Sequence, residues 1–189
     1  MERSFSVLDI AHRFIKENVS AGDICIDATA GNGGDTELLC SLVGEQGKVI
    51  AFDIQPEAIA STAARLERAE FSDIAELHCC GHERMDEFAQ PGSVRCIVFN
   101  LGWLPGGDHN IHTNTETTIA AVEKGLGLLC DDGVMCICVY YGRETGFAEK
   151  DALLEYLETV DSSLYTVMVC SFHNRSGCPP FPVLITKGR

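Results

Sequence analysis

Short apolar runs alternate with helical patterns along this chain. Apolar and β-branched runs predict strands, and apolar residues at every third or fourth position predict helices. The runs predict strands over residues 24–26, 47–53, 75–80, 94–100, 133–141, 164–172 and 181–186. The helical patterns cover residues 4–19, 56–69, 115–129 and 147–160, and a further helix begins at Thr36.

The order of these elements indicates the fold class. Strands and helices alternate as far as residue 160, which is typical of a parallel sheet covered by helices on both faces. The last two strands are joined by a loop alone, which predicts an antiparallel pair. We therefore expect a single α/β domain over residues 1–189, with a doubly wound, mostly parallel sheet of seven strands that ends in an antiparallel hairpin.

A glycine-rich loop follows the first predicted strand. Residues 27–36 read Asp-Ala-Thr-Ala-Gly-Asn-Gly-Gly-Asp-Thr. Its glycines allow a tight turn and a close approach to a ligand, and the free N–H groups of the next helix favour an anionic group. A G-x-G-x-x-G count from Gly31 ends on Thr36, which disfavours a plain dinucleotide site. A tight turn that binds no ligand is the alternative.

The loop resembles motif I of the class I S-adenosylmethionine-dependent methyltransferases. The resemblance rests on the pattern Asp-x-x-x-Gly-x-Gly after a first strand. It implies a Rossmann-like fold, with glycines that face the methionine part of S-adenosylmethionine. The cofactor residues that it implies in this loop are Asp27, Thr29, Gly31, Asn32, Gly33, Asp35 and Thr36.

The ends of the next two strands offer further cofactor contacts. Asp53 ends the second predicted strand, where a carboxylate can accept both ribose hydroxyls and where this family has its ribose-binding acid. An Asp that caps the helix starting near Pro56 is the alternative. The resemblance also implies Gln55 beside Asp53, and an adenine contact from His82, which could equally be an ordinary residue at a helix start.

A second loop follows the fourth predicted strand. Asn100 and Trp103 have the spacing of the Asn-Pro-Pro-Tyr motif of amino-methyltransferases, with Leu101 and Gly102 in place of the prolines. By this resemblance Asn100 binds the cofactor and positions the target nitrogen. The Trp103 ring packs on the base, where stacking contributes about 1–3 kcal/mol. A turn-forming Asn and an aromatic plug at the sheet edge are the alternatives.

The whole run Asn-Leu-Gly-Trp-Leu-Pro-Gly-Gly-Asp, residues 100–108, resembles a small bacterial family of single-domain rRNA methylases. Asp27-Ala28-Thr29 and Pro179-Pro180 share the resemblance. The family is associated with methylation of the aminomethyl group of 5-aminomethyl-2-thiouridine at the tRNA wobble position. The resemblance implies an RNA N-methyltransferase with tRNA as partner. The chain departs from the family at Gly177, where the family has Asn.

Charge and composition bear on the contact with nucleic acid, the state of the cysteines and the cellular location. A formal net charge of −14 argues against wide non-specific contact with nucleic acid, although arginines such as Arg143 and Arg175 could gather near a site. The ten cysteines fit a reduced core, and Cys79-Cys80-Gly81-His82 lacks the second ligand pair of a zinc site. Without a membrane-length apolar run or a signal peptide, we expect a cytoplasmic protein, with a homodimer as an open alternative.

An alkylamine acceptor must lose a proton before it attacks the sulfonium methyl. Asp108 is the preferred proton acceptor and His112 the second, while a turn-forming Asp108 is the alternative. His12 lies on the apolar face of the first helix, where a histidine is more often packed than functional.

The competing hypotheses are a non-catalytic RNA- or nucleotide-binding module, a nicotinamide oxidoreductase, and a methyltransferase for rRNA, protein or small amines.

Overall fold

The structure is a computed structural model that describes residues 5–102, 114–142 and 144–188. Within these ranges the helices are α1 (Val7–Asn18), α2 (Gly34–Val43), α3 (Pro56–Arg68), α4 (Thr115–Leu128) and α5 (Glu144–Glu158). The strands are β1 (Ile24–Asp27), β2 (Lys48–Asp53), β3 (Ala75–Cys79), β4 (Val94–Leu101), β5 (Leu129–Val139), β6 (Tyr165–Val169) and β7 (Phe181–Lys187). A 3-10 helix spans His82–Glu87.

All seven strands join one sheet in the order β3-β2-β1-β4-β5-β7-β6. Strands β1 to β5 pair in parallel, and β7 runs antiparallel to both β5 and β6. This arrangement confirms the predicted fold class. The strand order reverses between β1 and β4, so the crevice beyond the carboxyl ends of these two strands is where α/β sheets bind ligands.

Two apolar clusters cover the two faces of the sheet. Neighbouring residues of a strand point to opposite faces, so Cys25 joins the cluster that includes α1 and α2, while Ile26 joins the cluster that includes α4 and α5. Five cysteines are buried, namely Cys25, Cys40, Cys96, Cys136 and Cys138, and all ten are free thiols. Cys79 and Cys178 are exposed, so the expectation of core cysteines holds for only part of the set.

Strand β5 begins earlier than predicted. The segment Asp131-Asp132-Gly133 has the composition of a turn, and Asp132 adopts a left-handed φ of 58°. The structure places this segment inside the strand, where the pairing register with β4 shifts between Val94 and Cys96. Leu129 therefore already pairs with Val94, and the turn-like residues form an irregularity within β5 rather than a loop before it.

Helix α1 begins with a capping box. The Asp9 backbone N–H donates to the Ser6 hydroxyl oxygen at 3.1 Å, and the Ser6 backbone N–H donates to the Asp9 carboxylate at 2.7 Å. These bonds fix the start of α1, which packs on β5, β7 and β4.

Among the described residues, no helix combines the length and the apolar character that crossing a membrane requires.

Candidate active site

The glycine-rich loop forms a tight turn between β1 and α2. Gly33 caps α2 in the left-handed region, with φ of 76°. A Cβ on Gly33 would lie 3.0 Å from the backbone Cα of Thr62 on α3. The Thr62 hydroxyl also donates to the Gly31 carbonyl oxygen at 3.1 Å. Helix α3 therefore holds the loop closely, and only glycine fits at position 33.

Gly33→Ala should destabilise the protein by about 1–3 kcal/mol, because the new Cβ meets the Thr62 backbone and the residue keeps a left-handed φ. Urea unfolding measures the loss. Gly34→Ala is the matched control, since its Cβ would meet no atom within 4 Å and its φ is not left-handed. Equal stability of the two variants would contradict this account of the turn.

The Asp27 carboxylate is fully buried beneath the loop. It accepts the Thr36 hydroxyl at 2.6 Å and the Thr29 backbone N–H at 3.1 Å. Burial, followed by the charge of nearby Asp35, raises the pKa of Asp27 to about 7, although the two hydrogen bonds act in the opposite direction. Asp27 therefore braces both ends of the loop, and its predicted contact with a cofactor stays a prediction.

Asp53 lies at the end of β2, on the other side of the loop. Its carboxylate accepts the Gly31 backbone N–H at 3.0 Å and the Gln55 backbone N–H at 2.9 Å. Each of these bonds uses one oxygen, and each carboxylate oxygen has a second lone pair. The side chain is partly exposed. Asp53 therefore ties the second strand end to the glycine loop and retains acceptor capacity for hydroxyl groups.

Asn100, near the end of β4, is bound directly to the glycine loop. Its backbone N–H donates to the Thr29 hydroxyl oxygen at 2.7 Å, and its Nδ2 donates to Asp35 Oδ2 at 2.7 Å. The other oxygen of Asp35 lies 2.7 Å from His12 Nε2. Although burial acts to raise it, the bonds from His12 and Asn100 lower the pKa of Asp35, so this carboxyl is ionised.

These side chains line a cavity of about 470 Å³. Its volume lies within the range of small-molecule sites. The lining residues come from α1, the glycine loop, α3 and the ends of β4 and β5, and they are Leu8, His12, Thr29, Ala30, Gly31, Asn32, Gly34, Asp35, Arg65, Asn100, Leu101, Gly102 and Tyr140. Beyond the adjacent backbone, no protein atom lies within 4 Å of the position that a Cβ on Gly34 would take. This open space beside the backbone fits the binding site of a class I cofactor.

Another predicted cofactor residue, His82, begins the 3-10 helix and is buried. Its Nδ1 lies 3.1 Å from the Ala28 carbonyl oxygen, and its ring packs edge-on against Phe99. Burial lowers the pKa of His82, so the neutral ring donates from Nδ1. Its Nε2 is also buried and has no hydrogen-bond partner in the part of the chain that the structure describes. The adenine contact stays a prediction.

Several predicted site residues lie outside the described residues, namely Trp103, Asp108, His112 and Arg143. At the end of β5, Tyr140 lines the cavity, whereas Tyr141 packs its ring against Phe147 and Phe181. Arg175 donates to the Phe5 carbonyl oxygen at the start of α1, and its guanidinium carbon lies 3.8 Å from the Phe172 ring centroid. In the described ranges, acidic, His and Cys side chains form no cluster of three that could hold a metal.

The sequence did not single out His12 as a site residue, because its spacing on α1 is that of a packed side chain. In the structure it reaches Asp35, which is 23 positions away in the chain. Leu8 and Arg65 of the cavity wall were also missed. No local motif marks these three residues, since they join the site only through the packing of α1 and α3 beside α2.

The strand order, the antiparallel last pair and the glycine loop beside Asn100 define the class I methyltransferase fold. Residues 49–186 match the family described as "Putative rRNA methylase". The chain belongs to this rRNA methylase family.

Similar proteins are found in bacteria and in a plant. A "putative rRNA-methylase" from Clostridium thermocellum has 44% identity and a TM-score of 0.95, covering 98% of this chain and 99% of that chain. A "putative methyltransferase" from Streptococcus mutans, in complex with SAH, has 34% identity and a TM-score of 0.88, with coverage of 98% and 99%. The chloroplastic tRNA (mnm(5)s(2)U34)-methyltransferase of Arabidopsis thaliana is 34% identical, and the match covers 94% of this chain and 67% of the relative.

Proposed function

We propose that this protein is an S-adenosylmethionine-dependent N-methyltransferase that acts on RNA. The acceptor that we propose is the aminomethyl group of 5-aminomethyl-2-thiouridine at the tRNA wobble position. The observation that carries the proposal is the position of Asn100, whose backbone and side chain are both bonded to the glycine loop within one cavity. The family and the solved relative in complex with SAH support the cofactor.

The orientation of the Asn100 amide favours an amine acceptor. An ionised carboxylate only accepts hydrogen bonds, so the amide group that faces Asp35 is the NH2 group. The amide oxygen therefore points away from that bond and offers an acceptor for an N–H of the substrate. Accepting that N–H would aim the nitrogen lone pair, and such positioning is the main contribution that a protein makes to a direct transfer.

When bound, S-adenosylmethionine supplies an activated methyl group on a sulfonium sulfur. The residues of this chain hold and orient the reactants. We assign the methionine part to the backbone of the glycine loop, and the ribose hydroxyls to the remaining acceptor capacity of Asp53. Thr29 links the glycine loop to the end of β4. Its hydroxyl oxygen accepts the Asn100 backbone N–H, and its own backbone N–H donates to the Asp27 carboxylate.

The acceptor identity is supported by the Arabidopsis relative, which is named for modification of mnm(5)s(2)U34 in tRNA. Trp103 as the stacking platform, and Asp108 with His112 as proton acceptors, stay predictions outside the described residues. The net charge of −14 favours RNA contacts that are confined to the neighbourhood of the site over wide contact with the phosphate backbone. A cytoplasmic location is part of the proposal, and sedimentation analysis of the free protein tests the alternative of a homodimer.

The test is methyl transfer from labelled S-adenosylmethionine to purified tRNA that carries 5-aminomethyl-2-thiouridine. We expect nucleoside mass spectrometry to show the methylated aminomethyl nucleoside only when both tRNA and cofactor are present. Ribosomal RNA and tRNA that lacks the aminomethyl group are the comparison acceptors. Transfer to rRNA alone would replace the proposed acceptor, and failure to bind S-adenosylmethionine in equilibrium dialysis, with NAD as comparison, would overturn the function.

A further inference from the structure

A chain of hydrogen bonds runs from α1 to the candidate amine site. His12 Nε2 lies 2.7 Å from Asp35 Oδ1, and Asp35 Oδ2 accepts Asn100 Nδ2 at 2.7 Å. All three side chains line the same cavity. The His12 side chain is 34% exposed, whereas that of Asp35 is 13% exposed. The imidazole is thus the accessible end of a chain whose middle member is largely shielded from water.

The bond to Asp35 selects one tautomer of the neutral imidazole. Because both oxygens of the ionised carboxylate accept, Nε2 must carry the proton in its bond to Oδ1. The lone pair then resides on Nδ1, which is the ring nitrogen that can take a proton. A carboxylate that holds an imidazole in this way also stabilises the imidazolium that forms when Nδ1 is protonated, as in the His–Asp pairs of hydrolases.

We propose that His12 accepts a proton from the substrate ammonium at Nδ1, and that Asp35 positions both His12 and Asn100. This inference rests on the proposed amine N-methyltransferase function. A primary alkylamine has a pKa near that of lysine and arrives mostly protonated, so it needs such an acceptor before it attacks. Asp35 thereby positions both residues that act on the amine. His12 removes the proton that blocks the nitrogen lone pair, and Asn100 orients that lone pair.

Proton transfer precedes methyl transfer. His12 Nδ1 takes one proton from the substrate ammonium and leaves a neutral primary amine. The nitrogen lone pair then forms the bond to the methyl carbon, while the carbon–sulfur bond breaks and its electron pair stays on sulfur. The product is a secondary ammonium with a neutral thioether. The imidazolium returns its proton to water before the next turnover.

The other titratable groups around His12 are less suited to this role. Burial raises the pKa of Tyr140, at the end of β5, to about 12, so its phenol stays protonated at neutral pH. Asp9 of the same helix is used in the capping box with Ser6. Arg175 reaches the start of α1 but carries no lone pair to accept a proton. Asp35 is itself held as an anion by His12 and Asn100, which leaves the imidazole as the acceptor among these groups of the described residues.

The test compares single-turnover methyl transfer by wild type and His12→Ala across pH 6.5–10, with the tRNA acceptor in excess. At pH 7 we expect His12→Ala to be slower by about 10²–10⁴-fold. The defect should shrink as pH rises, because each unit of pH raises the free amine about tenfold until the amine pKa is reached. Glu17→Ala, an exposed substitution on the same helix, should follow wild type at every pH.

A second measurement needs no substrate. The ¹⁵N shifts of the His12 ring should report the Nε2–H tautomer in wild type. In Asp35→Asn this preference should be lost, since the amide NH2 can donate to Nε2, and transfer should fall with little change in KM. A wild-type ring in the Nδ1–H tautomer would overturn the inference.

The outcomes separate the two proposals. If wild type transfers no methyl to any amine acceptor, the proposed function fails and this inference fails with it. If wild type is active and His12→Ala matches it at every pH, the inference alone fails. If Asp108→Ala instead shows the defect that alkaline pH repairs, while His12→Ala does not, the proton acceptor is Asp108.

Discussion

Asn100→Ala should lower kcat for methyl transfer by about 100-fold or more, while the Kd for S-adenosylmethionine stays within about threefold of wild type. The substitution removes the amide oxygen that we assign to the amine N–H. It leaves the backbone N–H in its bond to Thr29, so the strand end and the glycine loop stay joined. Truncation also frees one Asp35 oxygen, which a water molecule can reach from the cavity.

Single-turnover rates and cofactor titration measure the two quantities separately. Asn18→Ala is a matched control, because the Asn18 amide donates to the Phe14 carbonyl oxygen on its own helix α1 and Asn18 is not among the residues that line the cavity. A wild-type kcat in Asn100→Ala would remove the positioning role. A large loss of cofactor affinity with an unchanged kcat would instead place Asn100 among the cofactor contacts alone.

The fold was predictable because most of its strands are buried on both faces. Such strands leave continuous apolar runs, and β4 is the clearest case, with only Arg95 and Asn100 less than fully buried between Val94 and Leu101. The approach of Asn100 to Thr29 also followed from the sequence, since the carboxyl ends of β1 and β4 meet where the strand order reverses. Boundaries were harder, because the turn-like Asp131-Asp132-Gly133 lies inside β5.

Side-chain partners in the site were not predictable from motifs. His12 has the helical spacing of a core residue, and only the packing of α1 against the sheet brings it to Asp35. Asp27 and Asp35 are both acids of one glycine loop, yet one is buried against Thr36 while the other is paired with His12 and Asn100. Their different charge states arise from burial and partners, which a sequence pattern does not contain.

The free energy of unfolding should fall by about 4 kcal/mol as pH rises from 4 to above 7, through Asp27 alone. Its pKa is 3.8 as a free side chain and about 7 in the fold, because burial and the Asp35 charge disfavour the anion. Between these values the folded state binds more protons than the unfolded state, so stability decreases with pH. Asp35 acts in the opposite sense, but only below its ordinary pKa, because its folded pKa is lowered.

Asp27→Asn should remove this slope. Its amide oxygen can accept the Thr29 backbone N–H, and its NH2 group can donate to the Thr36 hydroxyl oxygen, so both bonds are kept with one direction reversed. Urea unfolding at pH 5, 6, 7 and 8 without cofactor measures the slope. Glu45→Gln, which removes an exposed acid, is the control and should leave the slope unchanged. A slope that persists in Asp27→Asn would contradict the raised pKa.

The same titration should affect the cofactor. S-adenosylmethionine carries positive sulfonium and ammonium groups, and the glycine loop that we assign to its methionine part lies directly above Asp27. A positive ligand favours the ionised form of a nearby acid, so binding should release a proton and strengthen as pH rises through 7. In Asp27→Asn the affinity for S-adenosylmethionine should be weaker than in wild type and independent of pH over this range, because the amide does not ionise. Calorimetric titrations in buffers of different ionisation enthalpy measure the released proton, and an equal release in both proteins would show that another group supplies it.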